Sequence, residues 1–427
     1  MGVASCRGNH KLALLFLAVL IFFTSSPLTL ASSSFAEYTT DDVYSFGSLN
    51  FTSFVSYGSY IYATYSDKIY RSIDGESWET ISTLEGLLSH IYATSNGTLL
   101  CSSWGSPHLL RRSVDGGFTW SPVFNFTGHD TLWQLAENST GSLWIGVYGA
   151  GEGHALLYRS DDNGKTWSLA YNFTSDMASG GNQHIHLVFV DENDNLWVSV
   201  GDTTTNTYVS LDKKGTSFKK IGEGIKTISA CQINSTHILM GDDAHSHNKL
   251  FYFNIISKEL EYVKLAPPPG YAVWQIWKNP YDVYYMIEQT AGVEGQNGFY
   301  VYISLDAESW HLLLNTSTLP SPYTDWTYGT PNIPHLTKPV LFNNYYYVPG
   351  TPYLKIRSLT KQEAKAIIYK TEINEEITVK NGEEGSFSFL NNYIDNAKIS
   401  IIGVNVTNLF DDGSFETGVG WSEVNVG

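Results

Sequence analysis

The sequence predicts an all-β protein, a seven-bladed β-propeller with six blades as the alternative count, and three observations carry that prediction. A short pattern of the form Ser-x-Asp-x-Gly-x-Thr-Trp returns along most of the chain. Its copies are spaced as four-stranded blades are spaced. Each is preceded by a run of alternating apolar and polar residues, the period of a half-buried strand.

The pattern is complete from Ser113 to Trp120 and from Ser160 to Trp167. It is degenerate from Ser72 to Trp78, at Ser210-Leu211-Asp212 with Gly215 and Phe218, and at Ser304-Leu305-Asp306 with Ser309 and Trp310. These are the residues a tight hairpin needs. Asp accepts hydrogen bonds from the N–H groups of its own turn, Gly supplies positive φ, and Trp packs the hairpin onto its sheet. The repeated Asp residues therefore read as scaffold, not as catalytic or metal-binding groups.

Serines 72, 113, 160, 210 and 304 lie 41, 47, 50 and 94 residues apart, the last interval being two units with no motif near Phe251–Asn254. A final unit, 326–370, has strand-like runs at Val340–Val348, Tyr353–Ile356 and Ala366–Tyr369. The alternating strands are expected at Tyr60–Tyr65, Leu99–Ser103, Leu143–Tyr148, Leu196–Val200, Ile238–Gly241, Val283–Ile287 and Tyr345–Val348.

At these motifs the chain resembles the Asp-box (BNR-repeat) β-propellers, a superfamily that includes sialidases, xyloglucan-active hydrolases, sortilin-like receptors and photosystem assembly factors. The resemblance covers roughly residues 43–370, and the propeller is expected over 38–370. It implies the fold, but the motif is shared by enzymes and non-enzymes and implies no single activity. Sialidases hold a substrate carboxylate with three arginines, because a planar guanidinium pairs with it bidentately. After residue 31 this chain has only Arg71, Arg111, Arg112, Arg159 and Arg357. Arg71, Arg112 and Arg159 directly precede motif serines, and the Arg-Ile-Pro-type segment is absent, so a three-arginine sialidase is not expected.

Of the 427 residues 42% are hydrophobic and 14% aromatic, enough for a large core. The formal net charge of −17 and the absence of any basic run after the first residues argue against nucleic acid as a partner. Residues 1–31 read as a secretory signal peptide, with Arg7 and Lys11, an apolar run Leu12–Phe23 and a small-residue site before Ser32. The alternative is an uncleaved anchor, for which the apolar run is short, and no later segment is long enough to span a bilayer. Sequons begin at Asn50, Asn96, Asn125, Asn138, Asn172, Asn234, Asn315 and Asn405, in keeping with export. Cys101 and Cys231 read as two buried thiols. Beyond the propeller, 371–406 reads as a small β-module or linker (Glu376–Val379, Ser386–Leu390, Ala397–Val404). Residues 407–427, with Asp412 to Gly418 and Trp421, resemble the opening strand of a jelly-roll carbohydrate-binding module.

The hairpin motifs belong on the face opposite the usual binding mouth. Innermost-strand starts, at His90, Trp133, His184, His186, Trp274 and His335, meet at that mouth. Loops after the second strands add Tyr148, His154, Asp202, Asp242, Asp243, His245, His247 and Glu288. Trp133 lies ten residues before Leu143 and His186 ten before Leu196, so the two hold equivalent places in neighbouring blades. Two uses fit. His184, His186 and His247, with Asp202 and Asp243, suit a divalent metal such as zinc, manganese or iron. Asp202, Asp243 and Glu288 suit acid, base or nucleophile in glycoside cleavage, with Trp133, Tyr148 and Trp274 binding sugar rings. A pair of partly buried histidines bonded to backbone carbonyls fits the His-x-His pair as well. The expectation is a secreted propeller directed at extracellular or cell-surface glycans, a hydrolase or lyase if it is an enzyme, the alternative being a non-catalytic binding or scaffold propeller.

Overall fold

The computed structural model describes residues 43–104, 106–127, 131–149, 153–177, 179–243, 248–267, 272–289, 299–319, 338–350 and 352–372. The signal peptide, nearly all of the 371–406 module, the 407–427 segment, Asn405, His245, His247 and His335 lie outside the described residues. Strands of the compact unit Tyr38–Lys370 form seven antiparallel four-stranded sheets, arranged as the blades of a propeller. Blades 1 to 6 take consecutive strands from 53–83, 87–125, 131–172, 183–223, 227–265 and 273–315.

Blade 7 closes the ring with strands from both ends of the unit. Its three inner strands are Val340–Phe342, Tyr345–Val348 and Leu354–Arg357. The outer one is Tyr44–Phe46, with Tyr44 opposite Ile356 and Phe46 opposite Leu354. The expected strand at Ala366–Tyr369 is instead part of a helix, α1 (Lys361–Glu372). A capping box starts it: Thr360 N–H donates to Glu363 Oε2 at 2.7 Å, and Glu363 N–H donates to Thr360 Oγ1 at 3.2 Å. Ala364, Ile367 and Ile368, at helical spacing, are buried against blades 6 and 7.

Each alternating run read from the sequence forms the second strand of a blade, with small shifts at the ends, as at His237–Asp242 and Tyr284–Gln289. Apolar clusters fill the spaces between blades. Trp144 and Leu157 of blade 3, for example, pack with Ile185 and Val198 of blade 4. Cys101 and Cys231 are buried free thiols within such layers.

The motif hairpins join third and fourth strands. Ser113 Oγ–H donates to Asp115 Oδ1 at 2.8 Å, and the same oxygen accepts Phe118 and Thr119 N–H groups at 3.1 and 3.0 Å. Trp120 Nε1–H donates to Gly117 O at 2.8 Å, which ties the ring to the turn. Asp74, Asp162, Asp212 and Asp306 are bonded in the same manner. Blade 5 lacks the motif, and there Asn254 Oδ1 accepts from Ile256 and Ser257 N–H groups.

A second repeated feature lies at the other end of the blades. In blades 2 to 6 the register between inner and second strand slips by one residue at the same place, leaving Ser89, Trp133, His186, Ile228 and Trp274 as bulged residues. A bulge turns one side chain out of the strand's alternation. In blades 3 to 6 the re-aimed side chain, Trp133, His186, Ile228 or Trp274, comes to the entrance to the axis, whereas Ser89 of blade 2 bonds Ser102 of its own blade.

The hairpins give the fold a pH dependence. The hydroxyl and N–H of Thr119 hold the Asp115 carboxyl down at about 2. Partial burial raises Asp162, but Thr166 and Ser160 outweigh it and leave it at about 2. Groups with depressed values add stability above the ordinary carboxyl pKa and lose it as pH falls through the folded value. The thermal midpoint should therefore drop between about pH 4 and about pH 2, and less steeply in an Asp115→Asn, Asp162→Asn double variant. Parallel curves for the two proteins would refute this assignment.

Candidate functional site at the axial mouth

Three neighbouring blades build the site. Blade 4 supplies His184 and His186 from its inner strand and Asp202 from the end of its second strand. Blade 5 supplies Lys226, just before its inner strand, and Asp243, just after its second. These two are joined along the backbone, Asp243 N–H donating to Lys226 O at 3.0 Å. Blade 3 supplies Tyr148 and the Gly149 carbonyl.

His184 Nδ1–H donates to Gly149 O at 3.0 Å, and its Nε2 lies 2.9 Å from His186 Nε2. The Asp202 oxygens stand 3.4 Å from His184 Nε2 and 3.2 Å from His186 Nε2. His186 Nδ1 faces Asp243 Oδ2 at 3.0 Å. Lys226 Nζ lies 2.9 Å from Asp202 Oδ1 and 3.1 Å from Asp243 Oδ2, so one ammonium bridges the carboxylates of two blades. The imidazoles are buried, whereas the Asp202 side chain is 39% exposed and is the group of this set most open to solvent.

The charges set one another's protonation. Burial and the neighbouring His186 lower the His184 pKa to about 4. Burial also disfavours the charged form of His186, but Asp202 and Asp243 outweigh it and raise its pKa. Both carboxyls resist desolvation and are held ionised by His186 and Lys226. Asp242, next in the chain but paired with neither, is pushed up to about 6 by burial.

An aromatic wall adjoins these charges. Trp133 stacks on Tyr148 with ring centroids 4.0 Å apart, Trp104 lies about 6 Å from both, and Tyr148 packs against the His184 ring at 4.0 Å. Bulged residues Trp133, Ile228 and Trp274 meet in the same cluster. Beyond them a cavity of about 370 Å³ runs down the axis, lined by inner-strand residues of all seven blades, among them His90, Gln134, Ser229 and Gln275.

His184, His186, Asp202, Asp243 and Tyr148 thus come together, as their positions in the repeats suggested. Trp133 is buried behind Tyr148, so it supports the wall rather than presenting a face to a ligand. Trp274 is half-buried in the axial cluster. Glu288 is buried in blade 6 with no hydrogen-bond partner among the described residues, and burial pushes its carboxyl up to about 9. It does not join the charged set. Arg111 is spent on the Glu85 carbonyl and Arg357 pairs with Glu363, so neither is poised for a ligand carboxylate. Lys226 and Trp104 were missed. The register that singled out Trp133 and His186 places Lys226 two residues before the bulge of blade 5, and Trp104 ends the second strand of blade 2 as Tyr148 ends that of blade 3.

No protein-family model matches the chain, and no curated protein matches it. Solved structures similar to it include a streptogramin B lyase, with TM-score 0.54 and 8% identity over 75% of this chain and 99% of that one. Virginiamycin B lyase from Staphylococcus aureus has TM-score 0.51 and 9% identity over 74% and 100% of the two chains. The WD40 β-propeller domain of Doa1 has TM-score 0.50 and 11% identity over 75% and 96%. The likeness is one of fold.

Gly201 allows this set to close up. It pairs with His184 across the ladder, and a Cβ there would lie 2.7 Å from Lys226 Cδ and 3.0 Å from His186 Nε2. The lysine can move aside, but the buried imidazole cannot. Gly201→Ala should cost about 1–3 kcal/mol in denaturant unfolding. An unchanged midpoint would show that the mouth is looser than these distances imply.

Proposed function

We propose that this chain is an exported Asp-box propeller that recognises extracellular carbohydrate at the mouth formed by blades 3, 4 and 5. The observation that carries the reading is Asp202, an ionised carboxylate fixed at the surface by Lys226 and His186 near the ring of Tyr148. A carboxylate accepts hydrogen bonds from hydroxyls, and Tyr148, its faces packed by Trp133 and His184, adds the edge of a half-buried aromatic ring beside it. The hairpin geometry at Asp74, Asp115, Asp162, Asp212 and Asp306 supports the Asp-box assignment. Residues 1–31 and the sequons at exposed Asn96, Asn125, Asn172 and Asn234 support export. Asn138 is buried and bonded to its own turn, which removes it as a glycan acceptor.

Recognition is favoured over cleavage by paired carboxylates. That chemistry needs one protonated and one ionised group. Lys226 bridges Asp202 and Asp243 and favours the ionised form of both, while the protonated Glu288 is enclosed in blade 6.

Screening the mature protein on an array of extracellular polysaccharides and glycoprotein glycans, followed by calorimetry, tests this. Tyr148→Ala and Asp202→Asn should each weaken binding about tenfold or more at a temperature where circular dichroism shows each variant folded. Binding to no glycan, or equal binding by both variants, would contradict the proposal.

A further inference from the structure

We propose that His184, His186 and Asp202 form a mononuclear site for a first-row divalent metal ion, with Gly149 O and Asp243 orienting the two imidazoles. The positions of the ring hydrogens decide what the two imidazoles can hold. A carbonyl oxygen only accepts, so the His184 nitrogen 3.0 Å from Gly149 O carries hydrogen and its Nε2 presents a lone pair. The His186 Nδ1 lies 3.0 Å from the Asp243 carboxylate, an ion-pair contact without the alignment of a hydrogen bond. Both Nε2 atoms then point at one another across 2.9 Å, with Asp202 oxygens 3.2 and 3.4 Å away. With the His186 Nε2 proton given up, two lone pairs and a carboxylate converge on one place, an arrangement that suits a bound cation.

The spacing fits one. Donors held about 2.1 Å from a single ion lie about 3.0–3.4 Å from each other in octahedral or tetrahedral arrangement. The three donor atoms fall within 4.8 Å of one another with no rearrangement of the chain. Charge agrees as well: Asp202 and Asp243 contribute two negative charges and Lys226 one positive, and a metal ion would take the place of the proton that the two carboxylates favour on His186.

The surroundings point the same way independently. Metal-bound imidazoles characteristically donate their other N–H to a carbonyl or carboxylate, which fixes the tautomer and the ring plane. His184 has such a partner in the Gly149 carbonyl, and the Asp243 carboxylate stands 3.0 Å from His186 Nδ1. Two imidazoles and one carboxylate suit zinc, manganese, iron or cobalt rather than calcium. Three protein donors leave further coordination positions for water or a ligand oxygen, as in open rather than closed metal sites. The inference does not depend on the ligand being a carbohydrate.

The test uses the full mature chain, stripped with chelator and titrated with Zn2+ by calorimetry and with Co2+ by visible absorption. Wild type should take up about one ion per chain, and Co2+ should give the d–d bands of a nitrogen- and oxygen-ligated centre. Asp202→Ala changes a half-exposed residue and should abolish the bands while the chain stays folded. Asp243→Asn should weaken binding about 10–100-fold while the bound Co2+ keeps its band pattern, the mark of an orienting residue. Either of two results would overturn the proposal. One is wild-type protein that binds neither ion while Lys226→Met gains one, in which case Lys226 is the cation the carboxylates use. The other is uptake that persists unchanged in both Asp202→Ala and His184→Ala.

Discussion

A one-residue slip in the inner strand, repeated in five consecutive blades, is the constraint on which the mouth of this propeller depends. In a regular ladder alternate side chains enter the layers between blades, and those layers here are apolar and closely packed. The bulge takes one residue per blade out of that alternation. Ser89, Trp133, His186, Ile228 and Trp274 occupy the place. Where the residue is apolar it joins the axial cluster, and where it is His186 it meets carboxylates of its own and the next blade.

Burial makes that meeting consequential. An imidazole, an ammonium and two carboxylates taken largely out of water are tolerable only if each is paired. Every member of the set has a partner across a strand or across the boundary between blades 4 and 5. The arrangement therefore specifies how the two blades stand against each other as well as presenting Asp202 to a ligand. Ring closure supplies the complementary restraint, because Tyr44–Phe46 completes blade 7 and joins the two ends of the unit. The motif hairpins at the far face fix each blade locally, which leaves the mouth to vary in chemistry.

The parts legible in the sequence are those whose causes lie within a few residues. Hairpins such as Ser113–Trp120 declare themselves because Asp115 bonds its own turn, and second strands such as Leu143–Tyr148 because alternation is local. Repeat register extended that reach to His186 and Asp202, since equivalent positions of a ring face the same axis. Lys226 escaped because its partners, Asp202 and Asp243, become neighbours only when blades pack. The outer strand of blade 7 escaped for the same reason, its partner lying some three hundred residues away at Leu354–Arg357. Helix α1 is different: Thr360, Glu363, Ala364, Ile367 and Ile368 carried a capping box and helical spacing, and a β-branched run was read instead. Burial was the other hidden quantity, and it separates Trp133 and Glu288 from the aromatic and acidic side chains that face the mouth.

Whether the bulge truly delivers His186 to a carboxylate of the next blade is open to a direct energetic measurement. A double-mutant cycle with His186→Ala and Asp243→Asn, read by denaturant unfolding in the presence of chelator, isolates that contact. A coupling energy of about 1–3 kcal/mol is predicted for groups in one buried network. Additivity of the two substitutions within about 0.5 kcal/mol would mean the two side chains do not meet in solution, and the mouth described here would lose its centre.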